Sequence, residues 1–251
     1  MPLNRVTVTG VDDSVAPEAL LSLSMTYPFV EWGILVGTGV EQRFPSAAWI
    51  EKVADLAVSD WARIQASPTP KAEFNLSLHC CGTILTALAS GFGDSMFEMV
   101  PREHLGVFGR IQLNWRGIYQ GDIGNHLLES FEKLAPWCPE ITFQFDGVNH
   151  HLPSAFLRRF NVSALLDASN GSGIAPKVWP HPTGALLCGW AGGLNPDNVS
   201  EEIKRIEKIA YPSRPFWVSL ETGVRNTEGG FDLEKCTRVL EALSSHVSQV
   251  R

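Results

Sequence analysis

Cys188-Gly189-Trp190-Ala191-Gly192-Gly193-Leu194-Asn195-Pro196-Asp197-Asn198-Val199 is the stretch that decides the fold of this chain. The apolar residues ahead of it, Ala185-Leu186-Leu187-Cys188, have strand character, and the paired glycines make a turn. Asn195 followed by Pro196 then reads as a helix N-cap with proline in the first turn. The order is strand, glycine turn, helix start. Amides exposed in such a turn, beside the positive end of a helix dipole, suit a phosphate or another anion. Glycine turns also join strands to helices for purely structural reasons, so the surroundings have to choose between the two readings.

On both sides the same strand-then-helix unit repeats. Arg5–Thr9 is β-rich and ends at Gly10, and Ser14–Thr26 carries apolar residues at helical spacing. Val30–Val36 is a second strand, and Pro45-Ser46 opens an amphipathic helix to Ile64 that the segment 67–70 ends. Phe74–His79 makes a third strand, followed by a turn at 80–82, a helix over Thr83–Ser90 and a short one over Asp94–Val100. Arg110–Asn114 and Ile141–Phe145 are strands four and five, with helices expected over Asn125–Leu134 and Ser154–Arg159. Strand six is Val162–Leu166, ending at Asp167, and the Gly-, Pro- and Ser-rich loop 168–184 shows no helix. The quoted stretch is strand seven, with its helix over Pro196–Ile209. Phe216–Leu220 and a helix over Phe231–Ser245 follow.

Eight strands alternating with seven or eight helices, several strands being nearly all apolar, select a closed (β/α)8 barrel, the TIM barrel, over a doubly wound open sheet. No linker or low-complexity tract divides residues 1–251, so one domain is expected. In such barrels catalytic groups stand at the C-terminal strand ends, and anions bind after strands seven and eight.

The chain has 20 Lys and Arg against 27 Asp and Glu, a net charge of −7, and no basic cluster. Nucleic acid and anionic membrane surfaces are therefore not expected partners. No leader-like segment and no run of 18 apolar residues occur, which makes a cytoplasmic location the expectation. Five scattered cysteines without a CxxC pair suggest neither a disulfide framework nor a zinc ribbon. His79, Cys80, Cys81, Asp146, His150 and His151 have the chemistry of zinc ligands, but adjacent residues on an extended segment point to opposite faces, and no metal or other cofactor is expected.

The segment Cys188–Val199 resembles the strand-seven phosphate loop of phosphoribosylanthranilate isomerases, which reads roughly L-A-G-G-L-x-P-x-N-V. Ala164-Leu165-Leu166-Asp167, followed by Gly171-Ser172-Gly173, is similar to that family's strand six and its glycine loop. Glu221-Thr222-Gly223-Val224 is similar to its strand-eight S-S-G-V turn, and Gln112-Leu113 to the Q-L of strand four. The resemblance implies an aldose-to-ketose isomerisation of a phosphorylated sugar joined to an aromatic amine. It implies a phosphate held around Gly173, Gly192, Gly193, Thr222 and Gly223, a general acid at Asp167, and Arg43 near a substrate carboxylate. Three positions differ, and one is on strand four, where Asn114-Trp115 stands in place of the family's histidine or its equivalent. Thr9-Gly10-Val11 stands where the family has C-G-I, whose cysteine is the general base, and Glu221 stands where the phosphate cup has a serine.

A threonine hydroxyl is too weak a base unless another group deprotonates it. His79, with the most suitable ordinary pKa, and Cys80 are the strand-end candidates for that work, beside Asp12 and Asp146. Trp190, directly before the paired glycines, is a candidate for lining the pocket or for packing. A carboxylate 4 Å from a phosphate is repulsive by roughly 1 to 4 kcal/mol, so Glu221 must turn away, be neutralised by Arg225, or belong to a site for another ligand. The alternative to the isomerase is therefore a divergent barrel that binds a small sugar-type ligand or acts on a different substrate.

Overall fold

The computed structural model describes residues 3–38, 43–65, 74–114, 123–137, 139–145, 154–169, 172–182, 184, 186–212 and 214–247. Eight parallel strands, β1 (Leu3–Thr9), β2 (Val30–Gly37), β3 (Leu76–Cys81), β4 (Phe108–Leu113), β5 (Ile141–Phe145), β6 (Val162–Asp167), β7 (Leu187–Ala191) and β8 (Phe216–Leu220), pair in sequence order, and β8 closes on β1. The helices α1 (Pro17–Thr26), α2 (Ala47–Gln65), α3 (Gly82–Ala89), α4 (Met96–Met99), α5 (Arg102–Leu105), α6 (Ile123–Leu134), α7 (Ser154–Arg159), α8 (Val199–Glu207) and α9 (Leu233–Leu243) lie between and after them. The closed (β/α)8 barrel expected from the sequence is the fold.

The strands alternate, apart from register irregularities at Leu3/Arg5 and Leu76/Ser77. Outward positions such as Val6, Val8, Trp32, Ile34, Leu78, Cys80, Ile111, Leu113, Phe143, Leu166, Trp190 and Val218 are buried in the apolar layer beneath the helices. The inward positions are largely polar: the register aligns Thr7 with Glu31, Ser77 with Arg110, His79 with Gln112, and Thr142 with Ser163. Barrel interiors of this class are usually layers of Val, Ile and Leu. Here the lower interior is a charged network. Arg110 donates through Nε to both oxygens of Glu31 at 2.9 and 3.1 Å, through Nη1 to Thr142 at 3.0 Å and through Nη2 to Thr7 at 2.8 Å. Arg5 adds a second guanidinium 3.1 Å from Glu31. Burial pushes the Glu31 carboxyl up, but Arg110, Arg5 and the hydrogen bonds from Arg110 and Thr7 outweigh it and bring the group down to about 2. The Trp217 ring fills the remaining space, 4.9 Å from the Arg110 guanidinium.

Several local boundaries differ from the sequence reading by a few residues, and those beside the site matter most. Strand seven runs through Gly189 to Ala191 rather than ending at Cys188. Gly189 is a strand glycine because a Cβ there would lie 2.0 Å from the Trp217 ring. The following helix begins at Val199 rather than Pro196: Asn195 Oδ1 accepts from the amides of Asp197 and Asn198 in a separate turn that precedes the helix. Strand three continues through Cys81 to meet Gly37, and a one-turn helix, α5, precedes β4. At the start of α2, the Ser46 hydroxyl accepts from Trp49 N at 3.2 Å as the N-cap that Pro45-Ser46 suggests. The segment 67–70 lies outside the described residues.

Candidate functional site

The C-terminal strand ends surround a cavity of about 490 Å³. Thr9, Arg43, His79, Gln112, Asp167, Gly173, Gly192, Gly193, Glu221, Thr222 and Gly223 all line it. Gly171 lies outside the described residues, as do Asp146, His150 and His151. Cys80 does not line the cavity. The side-chain alternation of β3 turns it outward into the apolar layer, fully buried, and brings the next residue, Cys81, to the cavity wall instead. Trp190 also faces outward: its Nε1 donates to Pro180 O at 2.8 Å and its ring meets Phe216 edge-on, which is a packing role. Among the described residues no three His, Cys, Asp or Glu side chains gather as a metal site.

Three loops form one end of the cavity. A Cβ added to Gly193 would lie 2.1 Å from Ala175 N, one on Gly223 would lie 1.9 Å from Leu194 O, and one on Gly173 would meet the Thr222 side chain. The loops after β6, β7 and β8 therefore interlock at distances that only glycine permits. No described residue accepts a hydrogen bond from the amides of Gly193, Leu194 or Gly223, so these donors are available to an anion.

Asp167 stands beside this end of the cavity with both oxygens fixed. Oδ1 accepts from Ser169 N at 3.0 Å and Ser169 Oγ at 2.8 Å, and Oδ2 accepts from Gln144 Nε2 at 2.9 Å. Gln144 and Ser169 are lining residues that the sequence reading missed. Gln144 sits on the inward face of β5 two residues after Thr142, a period-two signal that a five-residue strand makes faint.

Glu221 pairs with Arg43, whose Nη1 donates to its Oε1 at 2.8 Å. Both side chains are about one-third exposed at the rim, and an internal carboxylate thus sits on the arginine expected near a substrate carboxylate. Arg225 donates to Gly10 O at 2.5 Å and Gly229 O at 2.7 Å, and its charge also stands in the field of Glu221, Arg43 and Asp12.

On the opposite wall the Thr9 hydroxyl lies 3.5 Å from His79 Nδ1. Gly33 makes room for the pair, because a Cβ there would lie 2.5 Å from Thr9 Oγ1 and 2.7 Å from His79 Nε2. Burial, with the nearby Arg110 charge, drives His79 down to about 3 against the opposing pull of Glu31. The imidazole is neutral at physiological pH and is too weakly basic for the role its ordinary value suggested. The unfolded chain titrates this group near 6.5 and the folded chain near 3. Between those values the unfolded state binds one more proton, so stability rises with pH across the window and is lost on acidification, by roughly 1.4 kcal/mol per pH unit. Denaturant melts between pH 6 and pH 5 should show this slope, and His79→Gln should flatten it by one proton. An unchanged slope in the variant would contradict the assignment.

No family model and no curated protein matches the sequence. Solved structures do match the fold. Phosphoribosyl anthranilate isomerase from Thermus thermophilus aligns with a TM-score of 0.58 at 17% identity, covering 96% of this chain and 98% of that one. TrpF from Jonesia denitrificans aligns with a TM-score of 0.58 at 18% identity, covering 98% and 99%. A third match, at a TM-score of 0.50 and 15% identity over 97% and 100%, is a phosphoribosyl anthranilate isomerase in complex with reduced 1-(o-carboxyphenylamino)-1-deoxyribulose 5-phosphate. At these identities the likeness is one of fold. Among the described residues no helix is long and apolar enough to cross a membrane.

Proposed function

We propose that this chain isomerises a phosphorylated sugar-amine of the phosphoribosylanthranilate type, without a cofactor. The observation that carries the reading is that Asp167 and the interlocked glycine loops, whose amides at Gly193, Leu194 and Gly223 have no acceptor among the described residues, line one cavity. In this reading the phosphate accepts from the amides around Gly173, Gly193 and Gly223. The sugar then extends along the cavity toward β1 and β3. Asp167 protonates the ring oxygen as the ring opens, and the proton on the neighbouring sugar carbon is removed from the other side. The fold neighbour in complex with reduced 1-(o-carboxyphenylamino)-1-deoxyribulose 5-phosphate supports a ligand of this class. The test is direct turnover of phosphoribosylanthranilate by the purified protein, where absence of product from a folded preparation rejects the reading.

The Arg43–Glu221 pair favours a second reading, a barrel of the same shape remade for a ligand without a carboxylate, or for an unphosphorylated one. The two separate on one variant. If phosphate binds beside this pair, removing the Glu221 charge in Glu221→Gln removes roughly 1 kcal/mol or more of repulsion, and inorganic phosphate should bind about fivefold tighter or better. Thermal stabilisation by phosphate reads this out. Stabilisation of both proteins by unphosphorylated sugars alone would select the second reading.

A further inference from the structure

The wall opposite Asp167 holds a chain of hydrogen bonds whose direction is fixed from one end to the other. It begins at Glu31, which stays ionised and can only accept. Ser77 Oγ lies 3.2 Å from Glu31 Oε1 and donates its single proton there. The Ser77 oxygen must therefore accept from His79 Nε2, 3.1 Å away, and that assigns the ring proton to Nε2. His79 Nδ1 is then an acceptor, and Gln112 Nε2 donates to it at 3.1 Å. The second proton of Gln112 Nε2 goes to Asn114 Oδ1 at 2.7 Å. Asn114 can consequently present only its Nδ2 to what lies beyond, and at 3.1 Å from that nitrogen is the sulfur of Cys81. The chain ends by pointing an N–H donor at a thiol.

A sulfur that accepts a hydrogen bond is favoured as the thiolate. Cys81 is also the N-cap of the eight-residue helix α3, at the positive end of its dipole. It is half-buried on the cavity wall rather than sealed in the core. Independently, the cavity-lining Gln112 is 2% exposed and has spent both protons inside the chain, leaving its buried Oε1 without a partner among the described residues. That acceptor waits for a hydroxyl or N–H donor from a ligand lying beside Cys81. Among the described residues, the charged or titratable groups lining the cavity besides Cys81 are His79, Asp167 and the paired Arg43 and Glu221. The first is neutral and the last two balance each other.

We infer that Cys81, held as a thiolate by Asn114 and the α3 N-terminus, is the base that removes the carbon-bound proton of the substrate, with Gln112 Oε1 accepting a substrate hydroxyl alongside. The inference rests on the isomerase reading above. In the step, the thiolate takes the proton from the sugar carbon next to the carbon–nitrogen double bond of the ring-opened substrate. The electrons of the broken C–H bond form the new carbon–carbon double bond, and the C=N pair moves onto nitrogen. The thiol then returns its proton to solvent. Thr9, whose hydroxyl faces His79, takes no part in the transfer.

Two measurements on the intact protein test this. The rate of Cys81 alkylation by iodoacetamide, resolved from the other cysteines by mass spectrometry and followed against pH, should give an apparent pKa at least about one unit below the ordinary 8.5, and Asn114→Ala should raise it. Cys81→Ser should lower kcat on phosphoribosylanthranilate by about 100-fold or more with little change in KM. A thiol that titrates at or above its ordinary value, or a Cys81→Ser enzyme within threefold of the parent, overturns the assignment. A parent protein that never turns the substrate over, yet alkylates at low pH, rejects the isomerase reading and the base role within it, while supporting the thiolate that the hydrogen-bond chain dictates.

Discussion

Asp167→Asn is expected to lower kcat on phosphoribosylanthranilate by roughly 10²- to 10⁴-fold, the usual range for losing a positioned general acid. The substitution keeps the shape of the side chain and removes its transferable proton. It also has a structural cost that has to be measured separately. Asp167 accepts three hydrogen bonds, two on Oδ1 from Ser169 and one on Oδ2 from Gln144. An asparagine amide must turn its NH2 group toward one of these donors, at a cost of roughly 1 to 3 kcal/mol. A urea melt therefore accompanies the kinetics. Phosphate binding should survive, because the amides proposed to hold it belong to the backbone of other residues. A variant whose kcat stays within threefold of the parent would remove Asp167 from the chemistry.

The second large effect is on stability. Glu31→Gln is expected to destabilise the fold by about 3 to 5 kcal/mol, the range for stripping one partner from a buried ion pair. Arg110 is fully enclosed in the barrel and turns three of its nitrogens toward Glu31, Thr7 and Thr142, while Arg5 leans on the same carboxylate. Without the anion two guanidinium charges face a neutral amide that offers a single acceptor oxygen. For a chain of this size the midpoint temperature should fall by roughly 6 to 20 °C. A denaturant melt with an unchanged m-value and a loss below 1 kcal/mol would show that water reaches Arg110 and that the network is not sealed. The same substitution should disturb Cys81 reactivity, since Glu31 is where the direction of the hydrogen-bond chain is set.

The fold was legible because each strand carries apolar residues on the outward face whatever it carries on the inward one. Arg5-Val6-Thr7-Val8-Thr9 shows the alternation openly, and β8 was bounded to the residue. The polar interior was harder to see. Val30–Val36 reads as a continuous apolar run apart from Glu31 and Gly33, yet those two face inward together with Leu35, the first into the Arg110 network and the second against Thr9 and His79. At the site, strand-end position pointed to His79 and the 188–199 turn, while the resemblance to phosphoribosylanthranilate isomerases pointed to Asp167, Thr9 and the other two glycine loops; these residues line one cavity. Cys81 was missed because the third strand was ended at His79. Extended by two residues, the same period-two rule places Ser77, His79 and Cys81 on one face and sends Cys80 to the other. The basicity of His79 could not be read from sequence at all, since it depends on enclosure and on Arg110, 31 residues further along the chain. Nor could the pairing of Glu221 with Arg43, which joins opposite ends of the chain through loop conformation.

That rim pair has a consequence for how a ligand arrives. A lone arginine at the mouth of a cavity would act as a monopole, drawing an anion in from about 8 Å or more at physiological salt. Arg43 joined to Glu221 is a dipole, whose field dies away faster with distance, on a molecule whose net charge is −7. In the proposed reading, capture of an anionic ligand is thus left to close-range encounter with the amides of the glycine loops, and long-range steering contributes little to how often that encounter occurs.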